Sequence, residues 1–132
     1  MLNLYVTSSE KHIGKTFITS GIAATMQSLG YTTSVYKPIQ TSGKELNGFV
    51  QSPDLTFLKT IDPYINSHFS YLYKSPLEPI VASEIDNETI DIDYINNELD
   101  KGKSYEYLKR NEYKETINSI LNDILMKIEI EK

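Results

Sequence analysis

The sequence predicts an α/β fold in which helices flank a parallel β-sheet, and three stretches near its start indicate this class. Residues 2–7 form a short apolar run whose Leu, Tyr and Val content is typical of parallel strands. Apolar residues then recur at helical spacing over residues 17–29, and Gly30 stands where a helix C-terminal glycine belongs. Residues 32–36 are β-branched and aromatic, which predicts a second strand, parallel to the first, that ends at Pro38.

The loop between the first strand and the first helix ends in Gly14, Lys15 and Thr16. In a strand–loop–helix context, backbone N–H groups and the helix N-terminus converge on one point and attract a phosphate. Lys15 can reach the β- and γ-phosphates of a nucleotide, and the Thr16 hydroxyl can ligate Mg²⁺. The pattern G-x-x-x-x-G-K-[ST] requires Gly where this chain has Ser9, so an ordinary βα turn is the alternative. The candidate phosphate-binding residues are His12, Ile13, Gly14, Lys15, Thr16 and Phe17.

The predicted domain is therefore P-loop NTPase-like (Rossmann-like), and the middle of the chain adds shorter elements to it. Residues 40–53 are rich in Thr, Ser and Gly and are expected to form a loop. Asp54 is expected to cap a short helix over residues 55–60. The Pro- and Tyr-rich residues 61–80 are expected to be mostly irregular, with one extended piece near residues 69–73.

The last part of the chain is predicted to be mainly helical. A helical turn is expected over residues 80–84, and a helix over residues 92–99 with Asp91 as its N-cap. Residues 101–109 are polar and predict a loop or hinge. Because residues 127–131 alternate between apolar and charged, a terminal strand remains open there as the alternative to a helix. The helical stripe before it consists of Tyr113, Ile117, Ile120, Leu121, Ile124, Leu125 and Ile128.

Length and composition exclude several classes of protein. The 132 residues suffice for one small domain, and we expect a single, partial nucleotide-binding domain over residues 1–132. Only two strands are clear, so the sheet is predicted to be truncated before its third core strand. With no Cys and a net charge of −5, the chain is not expected to hold a thiolate metal site or to bind nucleic acid. No apolar run approaches the ~20 residues of a membrane span, so a cytoplasmic protein without membrane contact is expected.

Three further polar stretches are expected to lie near the loop over residues 9–16, which we call the phosphate loop. Lys37 directly follows the second strand, and ligands of open α/β sheets bind outside the carboxyl ends of the strands. Lys37 can stabilise charge on a transferring phosphoryl group, although a solvated surface lysine is the alternative. Thr41, Ser42 and Gly43 make a turn that can bind an anion through N–H and O–H groups, or can serve as a plain turn. Asp54 can be a second Mg²⁺ ligand, or only a helix cap.

Together these stretches resemble the amino-terminal part of dethiobiotin synthetases. The order and spacing of the matching blocks agree with almost no gaps, and the resemblance covers residues 1 to about 95. The matching blocks are residues 6–17, Tyr36-Lys37-Pro38-Ile39, Thr41-Ser42-Gly43, Ser52-Pro53-Asp54 and Ser75-Pro76-Leu77-Glu78-Pro79-Ile80.

The resemblance implies an ATP-dependent carbon–nitrogen cyclo-ligase of biotin biosynthesis. Such an enzyme makes a carbamate from CO₂ or bicarbonate and 7,8-diaminopelargonate, phosphorylates it with ATP and closes a ureido ring. This chemistry relies on electrostatic stabilisation of a phosphoryl transfer with ATP and Mg²⁺, and it needs no covalent nucleophile. The implied site residues are Lys15 and Lys37 for catalysis, Thr16 and Asp54 for Mg²⁺, Asp54 also for ATP, and Lys37, Thr41 and Ser42 for the substrate.

The chain departs from the family pattern at several places. Ser8 stands where many members have Gly, and His12 stands where an acid is often found. The family continues into a third strand that ends Glu-Gly-Ala-Gly-Gly, whose Glu completes the Mg²⁺ site, and this chain contains no Glu-Gly-x-Gly-Gly. Residues 124–132 stop about where that strand would begin, and no adenine pocket is recognisable. We therefore expect activity only with a missing carboxy-terminal portion or within a homodimer.

Two other functions remain open. A non-catalytic nucleotide- or anion-binding module would keep the phosphate loop and lose the chemistry. Another P-loop ATPase of the same superfamily, such as a partition-type ATPase, often carries a signature Lys five residues before Lys15, where this chain has Glu10.

Overall fold

A computed structural model of the chain describes residues 2–8, 10, 12–100 and 126–131. Within these residues, strands and helices build one four-stranded sheet, one two-stranded sheet and four helices. In chain order the elements are β1 (Leu2–Val6), α1 (Lys15–Ser28), β2 (Thr32–Gln40), β3 (Lys44–Leu46), β4 (Phe49–Gln51), α2 (Pro53–Ile61), β5 (Asn66–Leu72), α3 (Pro79–Ile85), α4 (Ile92–Asp100) and β6 (Met126–Glu131).

The main sheet has the strand order β1-β6-β2-β5. β2 pairs with β5 in parallel, whereas β6 lies between β1 and β2 and runs antiparallel to both. β1 and β2 are therefore parallel to each other, as expected, but they are not neighbours. The α/β class with helices flanking a P-loop-type sheet is confirmed. The sheet is mixed, because β6 runs in the opposite direction to its neighbours, and the described sheet has four strands where only two were clear from the sequence.

The two faces of the sheet pack against different helices. One face buries the side chains Ala23, Val35, Leu55, Leu58, Ile65, Met126, Ile128 and Ile130 against α1 and α2. The other face buries Tyr36, Ile39, Tyr71, Tyr73, Ala82 and Ile95 against α3 and α4. None of the helices in the described part of the chain is long and apolar enough to cross a membrane.

Residues 127–131, for which the sequence allowed either a helix or a strand, form the strand β6. Ile128 is 0% exposed and lies opposite Leu4 of β1 and Val35 of β2. The alternation of apolar and charged residues therefore describes a strand, because successive side chains of a strand point to opposite faces. The helical stripe is wrong at Ile128. Its earlier members and the loop expected over residues 101–109 lie outside the described residues.

The stretch expected to be mostly irregular, with an extended piece near residues 69–73, contains the strand β5, and the segment expected to be a loop contains a hairpin. β5 lies within the Pro- and Tyr-rich stretch and pairs with β2, because Pro63 and Pro76 flank the strand without entering it. β3 and β4 form a hairpin within the expected loop. Asn47 and Gly48 at its tip have φ of 53° and 81°, and two left-handed residues are what a type I′ hairpin turn requires. The Asn-Gly dipeptide was the signal for this hairpin.

Pro38 lies inside β2 and does not end it. The pairing of β2 with β6 stops at Tyr36, while its pairing with β5 continues to Gln40. One side of the strand at Pro38 therefore has no ladder partner, and a residue without an N–H group is tolerated there.

The helix ends follow local sequence signals with one correction. The N–H group of Gly30, with φ of 93°, donates to Gln27, and this glycine ends α1 as expected. Asp91 caps α4, and its Oδ1 accepts hydrogen bonds from the next helical N–H groups at 2.9 and 3.2 Å. Ser52, not Asp54, caps α2, because its side chain accepts from a backbone N–H in the first turn. The helical turn expected over residues 80–84 is confirmed as α3.

A cluster of polar side chains lies where β6 pairs with β2. Lys127 is fully buried, and its Nζ donates to Glu129 at 2.7 Å, while the Ser34 hydroxyl donates to the same carboxylate at 3.1 Å. Burial raises the pKa of Glu129, but the hydrogen bonds from Lys127 and Ser34 and the charges of Lys127 and His68 outweigh it. The pKa of Glu129 therefore lies below its ordinary value of 4.5.

We expect Glu129→Gln to make folding less sensitive to acid. Because the folded pKa of Glu129 is lowered, its stabilisation is present above pH 4.5 and is lost as the pH falls through the folded value. Urea unfolding between pH 7 and pH 2 should show a steeper loss of unfolding free energy below about pH 4.5 for wild type than for the variant. Glu131→Gln, on the exposed end of the same strand, is the control and should keep the wild-type slope. Equal slopes for wild type and Glu129→Gln would contradict the expectation.

Candidate functional site

The first helix begins at the phosphate loop without a side-chain cap. Gly14 is its N-cap residue with φ of 101°, and a Cβ built there would meet nothing within 4 Å. The left-handed backbone, and not crowding, is therefore what favours glycine. His12 also has a positive φ, of 60°. Because the N-cap residue of α1 is a glycine and provides no side-chain cap, the first N–H groups of the helix and the positive end of its dipole are suited to bind an anion.

A cavity of about 510 Å³ opens at this helix end. It brings together the phosphate loop, the carboxyl end of β2, the turn after β2 and the start of α2. The residues named as site candidates line it except Gly43 and Ile13, of which Ile13 is 55% exposed. The lining residues are Ser8, His12, Gly14, Lys15, Thr16, Phe17, Lys37, Gln40, Thr41, Ser42, Pro53, Asp54, Phe57 and Pro76.

Lys37 and Asp54 form an ion pair in this cavity. The Nζ atom of Lys37 donates to Oδ2 of Asp54. Lys37 is 2% exposed and Asp54 is 23% exposed, and a buried ammonium group is stable only with a partner. The alternative of a solvated surface lysine is therefore wrong for Lys37. Asp54 lies in the first turn of α2, but its carboxylate faces Lys37 and does not cap the helix.

The turn after β2 is tied to the end of β5 through its backbone. The N–H group of Ser42 donates to the Ser75 carbonyl at 3.0 Å, and that of Gly43 donates to the Tyr73 carbonyl at 2.8 Å. These N–H groups are engaged, which corrects the expectation that they bind an anion. A Cβ on Gly43 would lie 2.8 Å from a side chain of β4, so close packing requires glycine. The hydroxyl groups of Thr41 and Ser42 remain the candidate ligand contacts.

Thr16 and Asp54, the two candidate Mg²⁺ ligands, both line the cavity. The Thr16 hydroxyl donates a weak hydrogen bond to the Met126 sulfur at 4.0 Å, which leaves it able to turn toward a metal. The described residues contain no group of three or more His, Cys, Asp or Glu side chains that would hold a metal alone. One hydroxyl and one carboxylate nevertheless fit Mg²⁺, because this ion usually keeps water and phosphate oxygens as its other ligands.

Two phenylalanines form an apolar wall beside the polar part of the cavity. The rings of Phe17 on α1 and Phe57 on α2 have centroids 6.4 Å apart and are tilted by 38°. They are 67% and 38% exposed, so both can contact a bound molecule. Binding sites commonly combine such apolar walls with a few placed polar groups, and this cavity is therefore suited to a ligand with both characters.

Sequence reasoning missed several lining residues. Gln40 is the last residue of β2 and is only 4% exposed, and its place three residues after Lys37 at a strand end was a usable signal. Phe57 follows Asp54 by three residues and so shares a face of α2 with it. Pro53 and Pro76 belong to the sequence blocks that match the family, but they were not named as site residues.

A family model described as an AAA domain matches residues 2–124 of the chain. The match includes the phosphate loop, the Lys37–Asp54 pair and the turn after β2.

Several curated proteins are similar to the chain and carry the name ATP-dependent dethiobiotin synthetase BioD. The protein of Clostridium acetobutylicum is 32% identical over 104 residues, which are 76% of this chain and 43% of that protein. The protein of Anoxybacillus flavithermus is 30% identical over 96 residues, 72% of this chain and 43% of that protein. The protein of Methanocaldococcus jannaschii is 28% identical over 109 residues, 80% of this chain and 46% of that protein. The predicted resemblance to dethiobiotin synthetases is confirmed, and the chain spans less than half the length of these relatives.

Proposed function

The chain belongs to the AAA domain family, and from that premise we propose that it acts in an ATP-dependent ligase of the dethiobiotin synthetase type. The proposed reaction carboxylates 7,8-diaminopelargonate with CO₂ or bicarbonate and closes the ureido ring at the expense of ATP. One observation carries the proposal: a single cavity joins the phosphate loop to the buried Lys37–Asp54 pair and to the hydroxyl groups after β2. The names of the similar proteins support the choice of reaction.

The proposed roles follow the charges in the cavity. Lys15 and the start of α1 hold the phosphates of ATP, because both present positive charge to the same space. Lys37 faces the carbamate and stabilises charge during phosphoryl transfer. Thr41 and Ser42 contact the diamine substrate through their hydroxyl groups, and the wall of Phe17 and Phe57 suits its carbon chain.

Thr16 and Asp54 are the residues proposed to hold Mg²⁺. When bound, the ion would neutralise negative charge on the phosphates of ATP. The ion pair with Lys37 holds the Asp54 carboxylate at the cavity. The proposed assembly is a homodimer or a complex with a carboxy-terminal portion, either of which could supply contacts to the adenine base.

The proposal is tested by incubating the purified chain with MgATP, 7,8-diaminopelargonate and ¹³C-bicarbonate. We expect the chain alone to have little activity, with ADP forming only when the diamine and bicarbonate are both present and a small amount of label appearing in dethiobiotin by mass spectrometry. The rate should stay below ~1 s⁻¹, the low end of ordinary enzymes, because two protein ligands would hold Mg²⁺ loosely. Lys44→Ala, on the exposed hairpin, is the control and should leave the label incorporation unchanged.

The outcome separates the proposed ligase from the alternatives. Binding of MgATP without labelled product, even at long incubation, would favour a non-catalytic nucleotide-binding module. Hydrolysis of ATP that is independent of the diamine would favour another ATPase of the superfamily.

A further inference from the structure

Gln40 carries a buried amide that lines the cavity, and its side chain makes three hydrogen bonds. It is 4% exposed and lines the cavity at the carboxyl end of β2. Its Nε2 donates to the Thr41 carbonyl at 2.7 Å. Its Oε1 accepts from the Ser52 hydroxyl at 2.6 Å and from the Asp54 N–H group at 3.4 Å.

The partners of Gln40 leave its amide one satisfactory orientation. The Thr41 carbonyl can only accept a hydrogen bond, and the Asp54 N–H group can only donate one. Reversing the amide would place two donors together and two acceptors together in a buried site, where unsatisfied polar groups cost ~1–3 kcal/mol each. The side chain therefore acts as a defined link between two parts of the chain.

The link joins the two sides of the cavity. The turn that begins at Thr41 lies on the substrate side of the proposed site, and the start of α2 carries Asp54 on the metal side. Asp54 is held twice, because Gln40 binds its backbone and Lys37 binds its carboxylate. Ser52, which caps α2, is held by the same Gln40 oxygen.

We propose that Gln40 is a positioning residue that sets where the Asp54 carboxylate lies relative to Lys37 and to the phosphates of a bound nucleotide. The inference rests on the proposed function in that Asp54 is taken to bind Mg²⁺. The contacts of Gln40 and Lys37 with Asp54 do not depend on that function. Groups that orient metal ligands typically contribute ~10–100-fold to metal affinity or activity. Gln40 would do so without touching the metal itself.

Two variants test the proposal with nucleotide binding as the readout. Gln40→Met keeps the length and removes all three hydrogen bonds, and Gln40→Asn keeps the amide but is one methylene too short to span its partners. The ATP dissociation constant is measured with Mg²⁺ and with EDTA. We expect the advantage that Mg²⁺ gives to ATP binding to fall about tenfold or more in both variants. Gln27→Met is the matched control, because Gln27 lies on α1 outside the cavity lining and its side chain accepts a hydrogen bond from the Thr33 N–H group of β2 at 3.0 Å.

A second readout does not depend on nucleotide binding. Amide hydrogen exchange at Asp54 in the ligand-free chain should accelerate in Gln40→Met and not in Gln27→Met. An unchanged exchange rate, or an unchanged Mg²⁺ advantage despite a lowered melting temperature, would overturn the positioning role. If wild type shows no Mg²⁺ advantage, the proposed function fails, and the exchange rate alone decides whether Gln40 positions Asp54.

Discussion

Replacing Lys15 with alanine is expected to weaken MgATP binding by about 10²–10³-fold, or ~2.7–4 kcal/mol, as loss of one preorganised oxyanion donor does. Lys15 is the first residue of α1 and lines the cavity at the helix end. Its ammonium group and the uncapped N–H groups of the helix present positive charge to the same space. Removing the side chain leaves the helix end in place, so binding should weaken without loss of the fold.

Calorimetric titration of both proteins with MgATP and with inorganic tripolyphosphate measures this effect. Lys15→Ala should weaken both ligands, because the proposed contact is to phosphate and not to the base. Lys44→Ala removes one positive charge from an exposed strand outside the cavity lining and should leave both affinities near wild type. Equal affinities for wild type and Lys15→Ala, at an unchanged melting temperature, would refute the phosphate-loop assignment.

Ile128→Ala is expected to destabilise the chain by ~2–5 kcal/mol, as large-to-small changes in a core do. Ile128 is 0% exposed and lies in β6, one of the two inner strands of the four-stranded sheet, between Leu4 and Val35. The substitution removes apolar contacts and leaves a cavity between two strands that cannot close without breaking the sheet. The loss is a large part of the ~5–15 kcal/mol that usually stabilises a domain.

Urea unfolding of two further variants, Ile130→Ala and Ile85→Ala, tests whether Ile128 is buried as part of a strand. Ile130→Ala should also destabilise, because Ile130 is 3% exposed on the same face of β6. Ile130 is not a member of the helical stripe, so a small effect there would favour a helix over the strand. Ile85→Ala, at a position 57% exposed on α3, is the matched control and should change the unfolding free energy by at most ~0.5 kcal/mol.

Much of the candidate site could be predicted because its parts are short and local. The phosphate loop is one continuous stretch, and the rule that ligands bind at strand carboxyl ends located Lys37. The ion pair of Lys37 with Asp54 could not be predicted, since it joins residues 17 positions apart whose proximity depends on how α2 returns to β2. Gln40 was missed for the same reason, because its role appears only when Ser52 and Asp54 are beside it.

The fold was predictable in class and less so in topology. Local signals identified α1, its terminal Gly30 and the Asp91 cap of α4, since helix ends depend on a few adjacent residues. The extended piece expected near residues 69–73 overlaps only the second half of β5, because prolines near a short strand obscure its pattern while pairing with a neighbour stabilises it. The hairpin β3–β4 was missed.

The sequence by itself determined that a strand, a glycine-containing loop and a helix follow one another in an arrangement that is suited to bind an anion. The period of the apolar residues, the left-handed backbone at Gly14 and the position of the helix start each depend only on residues that are close in the sequence. Only the tertiary structure decided that β6 lies between β1 and β2, since apolar residues near Ile128 satisfy a helical and a strand period alike. It also decided that the Ser34 hydroxyl donates a hydrogen bond to the Glu129 carboxylate, 95 positions further along the chain. Such contacts depend on which strands become neighbours, and that choice is made by burying the apolar side chains of the whole chain at once.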